Sequence, residues 1–275
     1  MVEITIQSAV ISGVFMNIFT KVMKMARKSF KETLMEIVGR TDVILMVLDA
    51  RFPLETRNEY IEDIVSRKKK YLIYVINKSD LAPKHYSDEM KRKLVRQTKR
   101  PVVFVSSTKR LGSRLLRNEL SIAMKRLKKE RLYIGIVGYP NVGKSSVINL
   151  LKGKAVAKTS WISGLTKGKQ FVRINKTMML YDTPGILDSD DEVLLGLINA
   201  KDFDKIDDVY ALAKKIFSVS KHNVLKLYSV EYQDYDSLLE NVAKKFNKKI
   251  KGGDLDTEFA ARKIIKDWQR GKITL

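Results

Sequence analysis

Gly138-Tyr139-Pro140-Asn141-Val142-Gly143-Lys144-Ser145-Ser146 decides how the rest of the chain is read. The stretch holds glycine, four residues, then Gly-Lys-Ser. It lies between an apolar run, Leu132–Val137, and a segment of helical periodicity, Ser145–Leu151. A glycine-rich turn from a strand into a helix lets successive backbone N–H groups converge on phosphate oxygens at the helix N-terminus. Val142, Gly143, Lys144, Ser145 and Ser146 are therefore expected around phosphate. Lys144 is expected at the β- and γ-phosphates and the Ser145 hydroxyl on magnesium.

Working outward, five more apolar runs have the length of strands: Val43–Leu48, Tyr71–Ile76, Val102–Val105, Phe171–Ile174 and Met178–Tyr181. Most are continuous rather than alternating, as in parallel strands buried on both faces. Helix-period segments Glu59–Lys69, Ser87–Thr98 and Ser113–Lys128 supply the crossovers. The last two runs are joined by a short connection carrying Asn175 and Lys176, which predicts a hairpin. The expected fold is α/β: a mostly parallel six-stranded sheet with one antiparallel edge strand, followed by a small α-helical domain. In that second domain Leu238, Leu239, Val242 and Phe246 form one apolar face, entered through a cap at Asp234 or Asp236. Asp256 can cap a last helix in which Ala261, Ile265 and Trp268 share a face, and Gly271 can end it. The chain is thus expected to divide into an N-terminal segment (residues 1–34) docked on the sheet domain, the sheet domain (35–188) and the helical domain (189–275).

Asn77-Lys78-Ser79-Asp80 ends the second run. A carboxylate at Asp80 can accept from N1–H and the 2-amino group of guanine, whereas adenine offers neither donor, and an unpaired buried carboxylate discriminates strongly. Lys78 can lay its stem over the base, and Asn77 can tie this loop to the phosphate loop. Ser106-Ser107-Thr108, after the third run, can offer a backbone N–H to guanine O6 and reads equally well as an ordinary helix entrance. Asp182-Thr183-Pro184-Gly185 ends the last run. There the Asp182 carboxylate can hold magnesium through water and the Gly185 N–H can bond the γ-phosphate, although the same residues make a common turn. Thr166 lies where a mobile loop would bring a threonine to magnesium and γ-phosphate. Flanking Gly164 and Gly168 set it ahead of its rival Thr159.

The order of these pieces is unusual. In Ras-like proteins the phosphate loop comes first; here the guanine-reading half precedes it. With Asp49-Ala50-Arg51-Phe52-Pro53, then Arg57-Asn58, and the stretch Gly138–Ser145, the chain resembles the YlqF/YawG family of circularly permuted ribosome-assembly GTPases, of the TRAFAC class. The resemblance is strong over residues 35–188 and looser around Ala260 to Ile273. It implies binding of GTP and GDP, hydrolysis of GTP, magnesium, and the large ribosomal subunit or its precursor, with rRNA, as partner. The residue after the Asp-x-x-Gly motif orients the attacking water as a glutamine in Ras. Here it is Ile186, which cannot hydrogen-bond. In related GTPases an asparagine at the position of Asn141 helps bind potassium. Asn141, Lys144, Thr166 and Gly185 are accordingly the expected catalytic set. The N-terminal histidine proposed for some relatives has no counterpart before His85.

Composition agrees with a polyanionic partner. The 275 residues carry a formal net charge of +22. Sixteen Lys or Arg against four acidic residues fall between Lys84 and Arg131, and ten against four from Asn241 to Leu275. Aromatic residues are sparse there, which favours folded RNA read by shape and charge over single strands. DNA is not expected, and a monomer is. The chain has no cysteine, which fits a cytoplasmic protein, and its two histidines are far apart, which leaves no zinc pattern. Residues Ile4 to Thr20 carry no charge but include Gln7, Ser8, Ser12 and Asn17. They read as a docked segment, or as an extension upstream of a start at Met16 or Met23, before they read as a membrane anchor. Two other functions stay open: an RNA-binding switch controlled by GTP with negligible turnover, and a membrane-associated GTPase.

Overall fold

The uninterrupted apolar runs become strands, and the inner ones are closed in on both sides. In the computed structural model, which describes residues 30–153, 171–181, 191–201 and 203–275, all six expected strands are present. They are β1 (Val43–Asp49), β2 (Tyr71–Asn77), β3 (Val102–Phe104), β4 (Leu132–Val137), β5 (Phe171–Arg173) and β6 (Met178–Tyr181). They form one sheet in the order β3-β2-β1-β4-β6-β5. Every pairing is parallel except that of β5 with β6. Every residue of β1, at the middle of the sheet, is buried, as a strand covered on both faces requires.

Helices α1 (residues 30–40), α2 (Glu59–Arg67), α3 (Lys84–Thr98), α4 (Ser113–Arg126) and α5 (Lys144–Lys152) accompany the sheet. Helix α3 starts three residues earlier than its periodicity suggests, because Pro83 stands at its N-cap with a preset φ of −60°. The strand order matters for function. The chain runs from β1 outward through β2 to β3, then returns to place β4 on the other side of β1. Ligands of open α/β sheets bind at such a switch point, outside the carboxyl ends of the strands. The register sets Asp49 beside Asn77 and Met46 beside Val137, so the turns after β1, β2 and β4 open at the same end.

Four more helices follow: α6 (Glu192–Leu197), α7 (Val209–Tyr228), α8 (Tyr235–Lys245) and α9 (Thr257–Gln269). An aspartate caps each of them: Asp191, Asp208, Asp234 and Asp256. The choice between Asp234 and Asp236 falls to Asp234, which forms a capping box with Ser237. Leu238, Leu239 and Val242 are buried as expected, as are Ala261, Ile265 and Trp268. Phe246 is not part of that buried face. Helix α8 ends before it, and Phe246 is 38% exposed, with its ring against Tyr228 and Phe259. Helix α7 kinks at Ser220 (φ −138°), whose hydroxyl donates to the Thr274 carbonyl. Among the described residues no helix is long and apolar enough to cross a membrane. The expectations for residues 1–29, Thr159, Thr166, Asp182, Gly185 and Ile186 lie outside the described residues.

The close approach of α1 to β4 depends on Gly135. A Cβ there would lie 2.7 Å from Ile37, 2.8 Å from Ile44 and 3.1 Å from Thr41. Gly135→Val should therefore lower stability by about 1–3 kcal/mol through overpacking, read as a reduced midpoint of urea unfolding with an unchanged slope.

Candidate functional site

The phosphate-loop stretch forms the turn between β4 and α5. Gly143 has φ +96°, and a Cβ on it would stand 2.1 Å from the Asn77 amide nitrogen, so only glycine fits. Val142 is buried, whereas Ser145 and Ser146 lie exposed in the first turn of α5, where a helix leaves its N–H groups unpaired. The Lys144 ammonium folds back and donates to the carbonyls of Gly138 (2.8 Å) and Tyr139 (2.6 Å). Burial pulls its pKa down to about 8. It has no carboxylate partner among the described residues, so an anion in the turn would meet a cation with no charge opposing it.

Asn77 does what the sequence suggested and binds the two loops together. Its Nδ2 donates to the Val142 carbonyl at 2.9 Å. Its Oδ1 accepts from the Ser107 hydroxyl (2.9 Å) and the Ser107 N–H (3.3 Å). The Ser106 hydroxyl donates to Asp80 Oδ1 at 2.5 Å and accepts from the Lys109 N–H at 3.0 Å. The alternative reading of Ser106–Thr108 as a helix entrance does not hold, because α4 starts at Ser113 and its N-cap is Gly112. Thr108 is exposed and makes none of these bonds. Three loops, after β2, β3 and β4, thus meet at one end of the sheet, and Lys144 and Asp80 belong to the same cluster.

The structure gives the Asp49–Pro53 stretch a role that sequence alone left unstated. Asp49 closes β1 with a fully buried carboxylate. It takes both arms of Arg51, Nε at 2.9 Å and Nη2 at 2.9 Å, and the Lys78 ammonium at 2.8 Å. Burial alone would raise this carboxyl, but Arg51 and Lys78 outweigh burial and hold it at about 2. Lys78 reaches Asp49 from a left-handed backbone, φ +61°. Arg51 is itself fully buried, with its guanidinium 4.6 Å from the centre of the Trp268 ring. Its Nη1 has no hydrogen-bond partner, and the indole face supplies the electrostatic contact instead. The signal in the sequence was a lone aspartate ending an otherwise apolar strand, since a buried charge requires a partner. Asn199 and Trp268, which complete the surroundings, had no such signal.

A cavity of about 560 Å³ lies beside this cluster, lined by Arg51, Phe52, Tyr86, Leu194, Leu197 and Lys215 among others. None of the phosphate-loop or base-loop residues lines it, so it is separate from the site described above. Of the magnesium ligands expected from sequence, Ser145 is the one among the described residues, and its exposed place at the start of α5 fits that role.

A family model described as RsgA GTPase matches residues 20–190, and one described as 50S ribosome-binding GTPase matches residues 133–251. An uncharacterized GTP-binding protein of Methanocaldococcus jannaschii is 41% identical over 258 residues, which cover 92% of this chain and 68% of that protein. Nucleolar GTP-binding protein 2 of Neurospora crassa is 35% identical over 93% of this chain. The match spans only 42% of that longer protein. Among solved structures, GNP-bound YlqF from T. maritima superposes with a TM-score of 0.61 and 24% identity, over 88% of this chain and 94% of that one. That likeness concerns the fold.

The lowered pKa of Lys144 has a measurable consequence. A bound phosphate favours the charged ammonium and raises its pKa again. Nucleotide affinity should therefore be level below pH 8 and decline as pH rises past about 8, and binding near that pH should take up protons. Calorimetry in buffers of different ionisation enthalpy reads the uptake directly.

Proposed function

The chain belongs to the circularly permuted ribosome-assembly GTPases, and from that premise we propose that it hydrolyses GTP as a nucleotide-controlled assembly factor for the large ribosomal subunit. The observation that carries the reading is the Asn77 amide, which joins the base-reading loop to the phosphate loop as a single nucleotide would need. Asp80, steadied by Ser106, is assigned to guanine; Lys78 to the face of the base; and Val142, Gly143, Lys144, Ser145 and Ser146 to phosphate. Thr166, Asp182 and Gly185 are assigned to magnesium and the γ-phosphate. Magnesium, bound with the nucleotide, supplies charge neutralisation between the β- and γ-phosphates. The protein's share is to hold the phosphates against the start of α5 and to present Lys144 in a partly dry site, where its charge counts for more.

Hydrolysis without a partner is proposed to be slow, because Ile186 cannot orient water. Asn141 supports a role for potassium. Its backbone is left-handed, φ +57°, and its amide nitrogen is engaged by the Asn199 carbonyl, which leaves the amide oxygen as the other end. Ile186 also favours a second reading, an RNA-binding switch in which GTP binding alone does the work. RNA is the proposed partner on the strength of exposed charge. Lys91, Arg92 and Arg96 on α3 are exposed, as are Lys125 and Arg126 on α4. The loop between α8 and α9 exposes Lys248, Lys249 and Lys251 around Gly252 and Gly253. Gly185 precedes α6 by only a few residues in sequence, so loss of the γ-phosphate would act directly on the C-terminal helices. Superposable positions of those helices in GDP and GTP-analogue complexes would count against that route.

Calorimetry should show GTP and GDP bound and ATP at least about a hundredfold weaker, with Asp80→Asn erasing most of the preference. Comparable affinity for ATP would sink the assignment. Phosphate release over many turnovers should be faster in potassium than in sodium and faster again with large ribosomal subunits. Equal rates in both salts would remove the potassium role, and a lack of turnover even with subunits would favour the switch.

A further inference from the structure

Two consecutive main-chain carbonyls in the turn after α6 hold side chains from both nucleotide loops. Ile198 O accepts from the Lys78 ammonium at 3.4 Å, and Asn199 O accepts from the Asn141 amide. The turn is itself fixed by α9. The Trp268 indole N–H donates to Leu197 O at 2.7 Å, and the Gln269 amide donates to Lys201 O at 3.1 Å and to Gly196 O at 3.3 Å. Asn199 returns the contact, with its Nδ2 donating to Gln269 O at 2.7 Å. Its φ of +64° is one that asparagine and glycine adopt more readily than other residues. A third tie lies close by: the Leu275 N–H donates to the carbonyl of Leu81, in the short turn Ser79–Leu81 that carries Asp80.

Neither reading a base nor holding phosphate requires these bonds. A lysine and an asparagine meant only for the ligand could stand free on their own loops. Here each rests on a carbonyl from the helical layer, and these carbonyls are adjacent in sequence. We infer that the turn 197–201 is a positioning element of the nucleotide site, with Asn199 as its positioning residue. The α6–α9 layer then sets the posture of Lys78 and Asn141 from outside the sheet domain. This inference rests on the assignment of Lys78 and Asn141 to the nucleotide. It differs from the route through Gly185, because it reports the base and the phosphate turn rather than the γ-phosphate. Linkage makes the effect reciprocal: whatever shifts the helical layer changes nucleotide affinity, and nucleotide changes the hold on that layer by the same factor.

The test is a double-mutant cycle on the full chain, read as affinity for a fluorescent GDP analogue alongside thermal unfolding without nucleotide. Asn199→Gly keeps access to the positive φ while removing the bond to Gln269 and the 3.5 Å contact that Asn199 Oδ1 accepts from Arg51. It should bind GDP at least about fivefold more weakly. In an Asn141→Ala background the same substitution should cost less than it does in the wild-type chain, because part of its effect passes through Asn141 and the rest through Lys78. Trp268→Phe, which removes the bond to Leu197 while keeping an aromatic ring, should reproduce the loss and serves if Asn199→Gly does not fold. Wild-type affinity in the folded variants would overturn the inference, as would independent effects of Asn199→Gly and Asn141→Ala. Failure of the wild-type chain itself to bind GDP would overturn the nucleotide assignment as well, and is told apart by that control.

Discussion

The side-chain amide of Asn77 is the constraint on which the site depends. It has one donor end and one acceptor end in use, and they point to different loops, one after β4 and one after β3. The amide is buried, so an unpaired end would carry the full penalty of a desolvated polar group. Both loops therefore have to be in place for either to be comfortable. The sheet makes this achievable, since only β1 lies between β2 and β4 and both strands run parallel to it. Gly143 completes the fit by leaving room for the amide nitrogen. None of this depends on which half of the sheet comes first along the chain. That is why a permuted order of motifs builds the same site: the contacts are fixed by spatial neighbours, and the strand order is unchanged by where the chain is cut.

The cluster of Asp49, Arg51 and Lys78 is of another kind. It places three charges in or near the interior, two positive and one negative, where desolvation opposes burial. Such groups contribute little to stability compared with apolar packing, but they are strict about geometry. Arg51 is held by both carboxylate oxygens of Asp49 and faced by Trp268, which ties α9 to the end of β1. The same carboxylate holds Lys78, which joins the orientation of the helical layer to the base-reading loop.

How much of this was legible in the sequence follows the range of the interactions. The strands and the one antiparallel pairing could be read because continuous apolar runs and a short connection point to a buried parallel sheet with a hairpin at its edge. The phosphate turn and the base loop could be read because their chemistry is local, carried by a few neighbouring residues. Asn77 was legible for the same reason, together with the demand that two loops meet. The kink at Ser220 was not, because the partner of its hydroxyl is Thr274, far along the chain. The position of Phe246 was missed because an apolar residue one place beyond a helix end keeps the period but leaves the face. Asn199 was invisible because its backbone carbonyl, which any residue would offer, makes the contact.

The placement of β4 also has a consequence for how the protein is made. A chain emerging from its N-terminus delivers β1, β2 and β3 long before β4, so one side of the sheet's middle strand has no neighbour to pair with. The Asn77 amide waits for Val142, 65 residues further on, roughly 3–13 seconds at ordinary rates of translation. During that interval β1, apolar from Val43 to Leu48, is an edge strand of the nascent half-sheet. A non-permuted relative would make its phosphate turn first and expose a different edge. The permuted order therefore leaves the contacts of Asn77 as they are and changes much in the chain's first seconds, when the unfinished sheet is most open to holding factors or to mispairing.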